Sequence, residues 1–204
     1  MDEMKPDHTE MSQKFFQYTV ELMRSSAVSH SLNRLQRVRL NVNLVCYLIW
    51  YAHQAYGRIK KKQFIKLHQV VFAWNEEVVE ELQRLQSMIA LHQHEKMTTI
   101  RGWLHDEVDI AHQMERSLLL EAVPMGSVLR RNDQQLLSDA CYNLVQYCKF
   151  SHVSLSDVEL AELTVVLTGV FVDVAQEDVM EALVSQLKKA KLPSGGTVSP
   201  QLFL

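Results

Sequence analysis

The run Leu44–Ala52, LVCYLIWYA, carries no charged and no amide side chain over nine consecutive positions. Such a stretch must leave water, and it dictates what the rest of the chain has to do. It is too short to cross a bilayer, which takes about 20 apolar residues. Asn43 before it and His53 and Gln54 after it close it off. The run therefore predicts a buried central helix. Asn41 or Asn43 can cap its start with a side-chain oxygen, and Gly57, which readily takes the left-handed conformation, can stop it. A basic stretch follows at once, Arg58-Ile59-Lys60-Lys61-Lys62. A solvated turn is its simplest reading. Docking to an acidic protein or an anionic membrane surface is the alternative.

The remaining chain has to surround that helix. With 6 Gly and 4 Pro in 204 residues, turns are few and elements long, which favours helices over many short strands. Phe15, Phe16, Val20, Leu22 and Met23 suggest a first helix, and Leu32, Leu35 and Val38 a short second one. Phe64, Leu67, Val71, Trp74, Val78, Leu82, Leu85 and Ile89 recur every three or four positions, one face of a long helix. After the polar stretch 92–96 the pattern resumes at Ile100, Trp103, Leu104, Val108, Ala111, Met114, Leu118 and Ala122. Val123-Pro124-Met125-Gly126 ends it, because Pro lacks the amide hydrogen a helix needs. Leu136, Leu137, Ala140, Cys141, Leu144, Val145 and Cys148 mark another helix. Ser156 and Glu159 are spaced as a capping box, with Leu155 and Leu160 as its hydrophobic staple. That box assigns the β-branched segment Thr164–Val172 to a helix rather than a strand. A weaker box, Asp173 to Gln176, opens a last helix through Val179, Met180, Leu183, Val184 and Leu187, with Lys188, Lys189 and Lys191 at its negative dipole end. The expected fold is all-α, a compact bundle of about seven or eight helices. The expected organisation is a flexible leader over 1–10 and a single helical domain over 11–192, followed by a loose tail over 193–204 ending in Leu202-Phe203-Leu204.

Composition narrows the chemistry. A net charge of -3 gives no electrostatic case for nucleic acid. Cys46, Cys141 and Cys148 are odd in number and sit in apolar patterns, so they read as buried thiols of a reduced, cytoplasmic protein. The polar, acidic start has neither the basic nor the apolar region of a signal peptide. Phosphate loops of the GxGxxG or GxxxxGK[ST] kind, HExxH, GxSxG and CxxC are all absent from the sequence. His105, Asp109 and His112 fall on one helical stripe and are the best metal candidates. A metal-binding helical enzyme built on them is the alternative function. A di-metal bundle needs carboxylate–histidine pairs on further helices, and the sequence offers no second copy. The expectation is a non-enzymatic protein with no catalytic, cofactor-binding or metal-ligating residues and no cofactor. Charge is instead segregated. Arg34, Arg37, Arg39, Arg58 and Lys60–Lys62 lie in the N-terminal half; Asp157, Glu159, Glu162, Asp173, Glu177, Asp178 and Glu181 lie in the C-terminal part. Such bias can steer association with partners of opposite charge. The C-terminal helix, about residues 174–191, with the tail is the expected contact surface.

Residues 32–50, LNRLQRVRLNVNLVCYLIW, carry a resemblance. Leu32, Leu35 and Gln36, then Val42, Asn43 and Leu44, then the apolar run ending at Trp50 resemble a family of small helical proteobacterial proteins without an assigned activity. Trp74, Val78, Val79, Leu82 and Arg84 look like its second block. The family's Gly-x-Asp-Val-Asn becomes Arg39-Leu40-Asn41-Val42-Asn43, so its acidic residue is lost. This likeness spans about residues 12–122. The whole chain, with its acidic leader and added C-terminal helices, resembles virulence-associated adaptors of the type IVB (Dot/Icm) secretion coupling complex. That resemblance implies protein partners: the small acidic chaperone pair IcmS–IcmW, the coupling ATPase DotL, and effector proteins presented for export. It implies a cytoplasmic protein held peripherally at the inner membrane through the complex, with no direct membrane insertion and no nucleic-acid partner.

Overall fold

The computed structural model describes residues 8–191, positions 93 and 95 excepted. Residues 1–7 of the expected leader, and the expected tail with its Leu202-Phe203-Leu204 tip, lie outside the described residues. Among the described residues the regular elements are all helical: α1 (His8–Met23), α2 (Ser26–Arg37), α3 (Val42–His53), α4 (Lys61–Trp74), α5 (Glu80–Ala90), α6 (Lys96–Ala122), α7 (Asp133–Phe150), α8 (Asp157–Val170) and α9 (Gln176–Ala190). A π turn, Asn75–Val79, joins α4 and α5 into one continuous rod. Eight rods result among the described residues, and the all-α fold is as expected. No helix among the described residues is long and apolar enough to cross a membrane.

The described residues divide into two units, one of residues 8–16 and 61–125, the other of residues 17–60 and 126–191. The second unit is built on α3. Every residue from Asn43 to Ala52 is buried, with Trp50 and Tyr47 among the largest side chains fully removed from water. Burial of each such side chain contributes about 1.5–3 kcal/mol. Asn41 is the cap, its Oδ1 accepting from the Leu44 amide at 2.8 Å. α3 packs on α7, α2 on α8, and both α7 and α8 on α9.

α3 ends earlier than Gly57. Its last residue is His53, and Ala55 takes the left-handed conformation at φ 60°. The Ala55 amide donates to the Ala52 carbonyl and the Tyr56 amide to the Tyr51 carbonyl, the paired reverse bonds of a Schellman ending. Arg39 (φ 67°) ends α2 and His152 (φ 55°) ends α7 in the same way. The residue after each left-handed one, Leu40, Tyr56 or Val153, is apolar, as the motif favours. Few glycines therefore do not mean poorly defined helix ends.

The first unit is a helical hairpin, with α4 and α5 packing on α6. Phe64, Leu67, Val71 and Val79 on one arm and Leu104, Val108 and Ala111 on the other are buried, as are Met11 and Phe15 of α1. The π turn accounts for a departure from the expected stripe. Its extra residue rotates the helix phase, so Val79 is buried and Val78 only half-buried. The Trp74 indole N–H donates to the Ala111 carbonyl across the seam at 2.9 Å. A two-helix seam covers one stripe per helix, and the expected apolar faces were wider. Leu85, Trp103 and Met114 are exposed, Trp103 at 63%, as is Phe16 of α1.

Candidate functional site

α7 holds the polar centre of the second unit. Asp139, Asn143 and Tyr147 recur every four residues and form one polar stripe on the buried side of the helix. All three are buried, Asn143 at 0% exposure. Asn143 accepts from the Ile59 amide at 2.9 Å and donates through Nδ2 to the Gly57 and Leu48 carbonyls at 3.2 and 3.4 Å. Tyr147 accepts the Asn41 amide at its hydroxyl, 3.0 Å. These bonds satisfy backbone groups that the α3–α4 connection would otherwise bury unpaired. Gly57 has φ 82°, a conformation that side-chain-bearing residues rarely adopt, so glycine is favoured there by its backbone.

The Asn143 clamp fixes Arg58. Its Nε donates to Asp139 Oδ1 at 2.7 Å and its Nη2 to Ser138 Oγ at 3.4 Å. Its guanidinium carbon lies 4.7 Å from the Tyr142 ring centroid, within cation–π range. Gln186 of α9 donates to the same Ser138 hydroxyl at 3.2 Å. Arg131 brings a second guanidinium, with Nε 3.4 Å from Asp139 Oδ2. That distance makes an ion pair, but the geometry is not a hydrogen bond, and Oδ2 has no hydrogen-bond partner. The Asp139 side chain is 4% exposed.

An open groove of about 580 Å³ runs along these groups, lined by Arg58, Arg131, Asn132, Gln134, Gln135, Ser138 and Asp139. Asn132 is the N-cap of α7 and forms a reciprocal capping box with Gln135. Two guanidinium groups against one carboxylate leave an excess positive charge at the positive end of the α7 dipole. The remaining Nη atoms of Arg58 and Arg131 are free to donate, in a fork that matches a carboxylate. The groove thus carries two guanidinium groups and one carboxylate, with Arg58 the more firmly oriented of the two cations.

This placement changes the meaning of the basic stretch after α3. Arg58 is latched, Ile59 is buried, and Lys60, Lys61 and Lys62 are exposed. Arg34, counted with the same cluster, donates to Glu162 Oε1 at 2.6 Å, and Ser31 donates to Oε2 at 2.6 Å. Both bonds tie α2 to α8 and hold the Glu162 carboxyl below its ordinary pKa. Asp139, Asn143 and Arg131 were not singled out in the sequence. The i, i+4, i+8 polar stripe within an apolar pattern was the signal that could have found them.

The other candidates are dispersed. His105 Nε2 and Asp109 Oδ2 stand 4.0 Å apart on an exposed face, whereas His112 turns toward the buried Glu115, 3.7 Å away. No group of three metal-ligating side chains forms among the described residues. Cys46, Cys141 and Cys148 are buried and unbridged, and burial pushes the Cys141 and Cys148 thiols up to about 12. Ser156 and Glu159 form the expected capping box, but the Asp173 box does not form. α9 starts at Gln176, and its N-cap Ala175 supplies no side-chain bond. Comparison with protein-family models, curated proteins and solved structures finds no match to this chain.

Proposed function

We propose that the chain is a non-enzymatic adaptor that binds an acidic protein partner through the Arg58–Arg131 groove. One observation carries this reading. The Arg58 guanidinium is held in place by Asp139, Ser138 and Tyr142 before any ligand arrives, and Arg131 stands beside the same carboxylate. A partner carboxylate therefore meets in Arg58 a donor whose side-chain entropy is largely spent, which favours affinity and register. The resemblance to adaptors of the type IVB secretion coupling complex, LvgA in particular, supplies the partner class: the small acidic IcmS–IcmW chaperone pair. In this reading the assembly is anchored at the inner membrane by the coupling ATPase DotL and presents effector proteins for export. The exposed Lys60, Arg130 and Arg37 side chains add long-range attraction for an acidic surface.

Gel filtration of the untagged protein with purified IcmS–IcmW tests this directly. Co-elution that weakens with added salt is expected. A chain that remains alone at every ratio and also ignores effector segments refutes the adaptor reading.

A further inference from the structure

One face of the first unit has no role in the groove, the side of the α4–α5 rod turned away from α6. Phe64, Leu67, Val71 and Val79 of the rod are buried in the seam. On the other side Lys61, Lys62 and Lys66 are exposed, followed by Glu76, Glu77, Glu80 and Glu81. Ile65 and Phe72 lie among them at 37% and 56% exposure. We propose that this face is a self-association surface, on which the rods of two copies of the chain pair antiparallel about a two-fold axis near position 71.

The order of the charges is the first observation. α4 carries no acidic residue, and residues 75–83 carry no basic one. The outer face of the rod is thus cationic in its first half and anionic in the next. Lys62 and Glu80 stand equally far on either side of position 71, and so do Lys66 and Glu76. Antiparallel pairing sets each lysine against a glutamate of the other copy, and two-fold symmetry makes every such contact twice. Parallel pairing sets like charge on like charge, so the charges also select the direction. The π turn keeps both halves on one face. Its wider winding leaves all four glutamates exposed while Val79 enters the seam.

The second observation is that the charges are unspent. Lys61, Lys62, Lys66, Glu76 and Glu77 take no part in a side-chain hydrogen bond or ion pair among the described residues, whereas Glu80 accepts from Asn75 and Glu81 pairs with Arg84. Lys61 and Lys62 also open α4 at the positive end of its dipole, and no acidic residue in the first turn offsets them. That placement works against the helix. A local rule broken without compensation inside the element points to a demand outside it.

The third is the apolar centre. Phe72 adjoins the axis, its ring stacked on His68 with centroids 5.5 Å apart and planes 9° from parallel. In the pair its two copies meet at the middle, with the exposed Ala73 beside them. An apolar centre inside a charged rim is the usual build of a protein interface. Other occupants fit less well. The four glutamates oppose an anionic membrane or a uniformly acidic protein, whereas a second copy carries the complementary order by construction. Residues 61–81 span about 30 Å. A contact one helix wide along that length is at the low end of specific interfaces, so the dimer is weak and concentration-dependent. The face lies in the first unit and the arginine groove in the second, so this inference stands apart from the adaptor reading.

Sedimentation equilibrium of the full, untagged chain from about 1 to 500 μM tests it. A monomer–dimer equilibrium with a dissociation constant of about 10–100 μM is expected, weakened about tenfold between about 50 and 500 mM salt. Lys66→Glu and Glu76→Lys should each weaken association at least about tenfold. Neither residue has an internal partner to lose, and far-UV circular dichroism of each variant is the folding control. An equimolar mixture of the two variants should associate again, because each then presents the charge the other lacks. The chain carrying both substitutions should regain its own dimer for the same reason. A chain that stays monomeric through about 500 μM at low salt would overturn the proposal. Association unchanged in both single variants, or not regained in the mixture and the double variant, would overturn it as well.

Discussion

The Arg58 Nε donates to Asp139 Oδ1 at 2.7 Å, joining positions 81 residues apart in the chain. The pair both closes the connection after α3 onto α7 and aims a guanidinium into the groove. Asp139 is almost wholly buried, whereas Arg58 is half-exposed, so the two partners are not equivalent. Replacing Arg58 with Ala leaves a buried carboxylate facing only the poorly aligned Arg131. Replacing Asp139 with Ala lets Arg58 turn to water. Urea unfolding is expected to show Arg58→Ala destabilising by about 1–3 kcal/mol. The double variant with Asp139→Ala should be less destabilised than the sum of the two, by about 1 kcal/mol. Strict additivity would show that the pair contributes nothing.

Asn143→Ala is expected to cost more than any surface change in the second unit. The substitution removes three hydrogen bonds to buried backbone groups of Leu48, Gly57 and Ile59. A loss of about 2–4 kcal/mol follows from leaving such groups unpaired. Amide exchange at Ile59 should accelerate in the same variant, while protection in α8 should follow only the global loss. An Ile59 amide that exchanges no faster would contradict the clamp.

Helix ends offer a change in the opposite direction. Arg39, Ala55 and His152 hold left-handed backbone at φ 67°, 60° and 55°. That conformation costs a side-chain-bearing residue about 1–2 kcal/mol, and glycine escapes it while gaining freedom in the unfolded chain. Each of Arg39→Gly, Ala55→Gly and His152→Gly should therefore stabilise by about 0.5–1 kcal/mol, and the three together nearly additively. Thermal midpoints of the single and triple variants measure this. A fall in midpoint for all three would refute the assignment of these endings.

Much of this fold is written in the sequence as local signals. The Leu44–Ala52 run, the Asn41 cap and the Ser156–Glu159 box depend on near neighbours, and each forms as read. The apolar stripes of α4, α5 and α6 were read too widely, because periodicity gives a face but not the width of the seam that covers it. Nor does it show the π turn, which begins directly after Trp74, whose indole bonds to the Ala111 carbonyl. The groove was illegible for a related reason. Arg58 looked like one cation of an exposed cluster, and Asp139 like one polar letter in an apolar helix. Only the close approach of residues 58 and 139 makes them a site. Gly57 was marked correctly as special but assigned to the wrong turn, since Ala55 can end the helix without a glycine.

Glu162 sets an acid limit on the second unit. Hydrogen bonds from Ser31, then Arg34, hold its carboxyl below the ordinary value. A carboxyl depressed in the folded state binds its proton more readily in the unfolded one. Its contribution is therefore complete above the unfolded pKa, near the ordinary 4.5, and is lost as pH falls through the folded value. Glu162→Gln should flatten the decline of stability below about pH 5 while lowering stability at pH 7. An unchanged acid slope, measured by urea titration across that range, would remove Glu162 from the account.

The central claim is that the arginine groove receives an acidic protein partner, and calorimetry with the purified IcmS–IcmW pair tests it most directly. Arg131 is the residue to change, because its contact with Asp139 is an unaligned ion pair rather than a hydrogen bond. The account predicts measurable binding by the intact chain that falls about tenfold or more in Arg131→Gln, with a shallower salt dependence and an unaltered thermal midpoint. Undetectable binding by the intact chain, or equal affinity and equal salt dependence in Arg131→Gln, would contradict it.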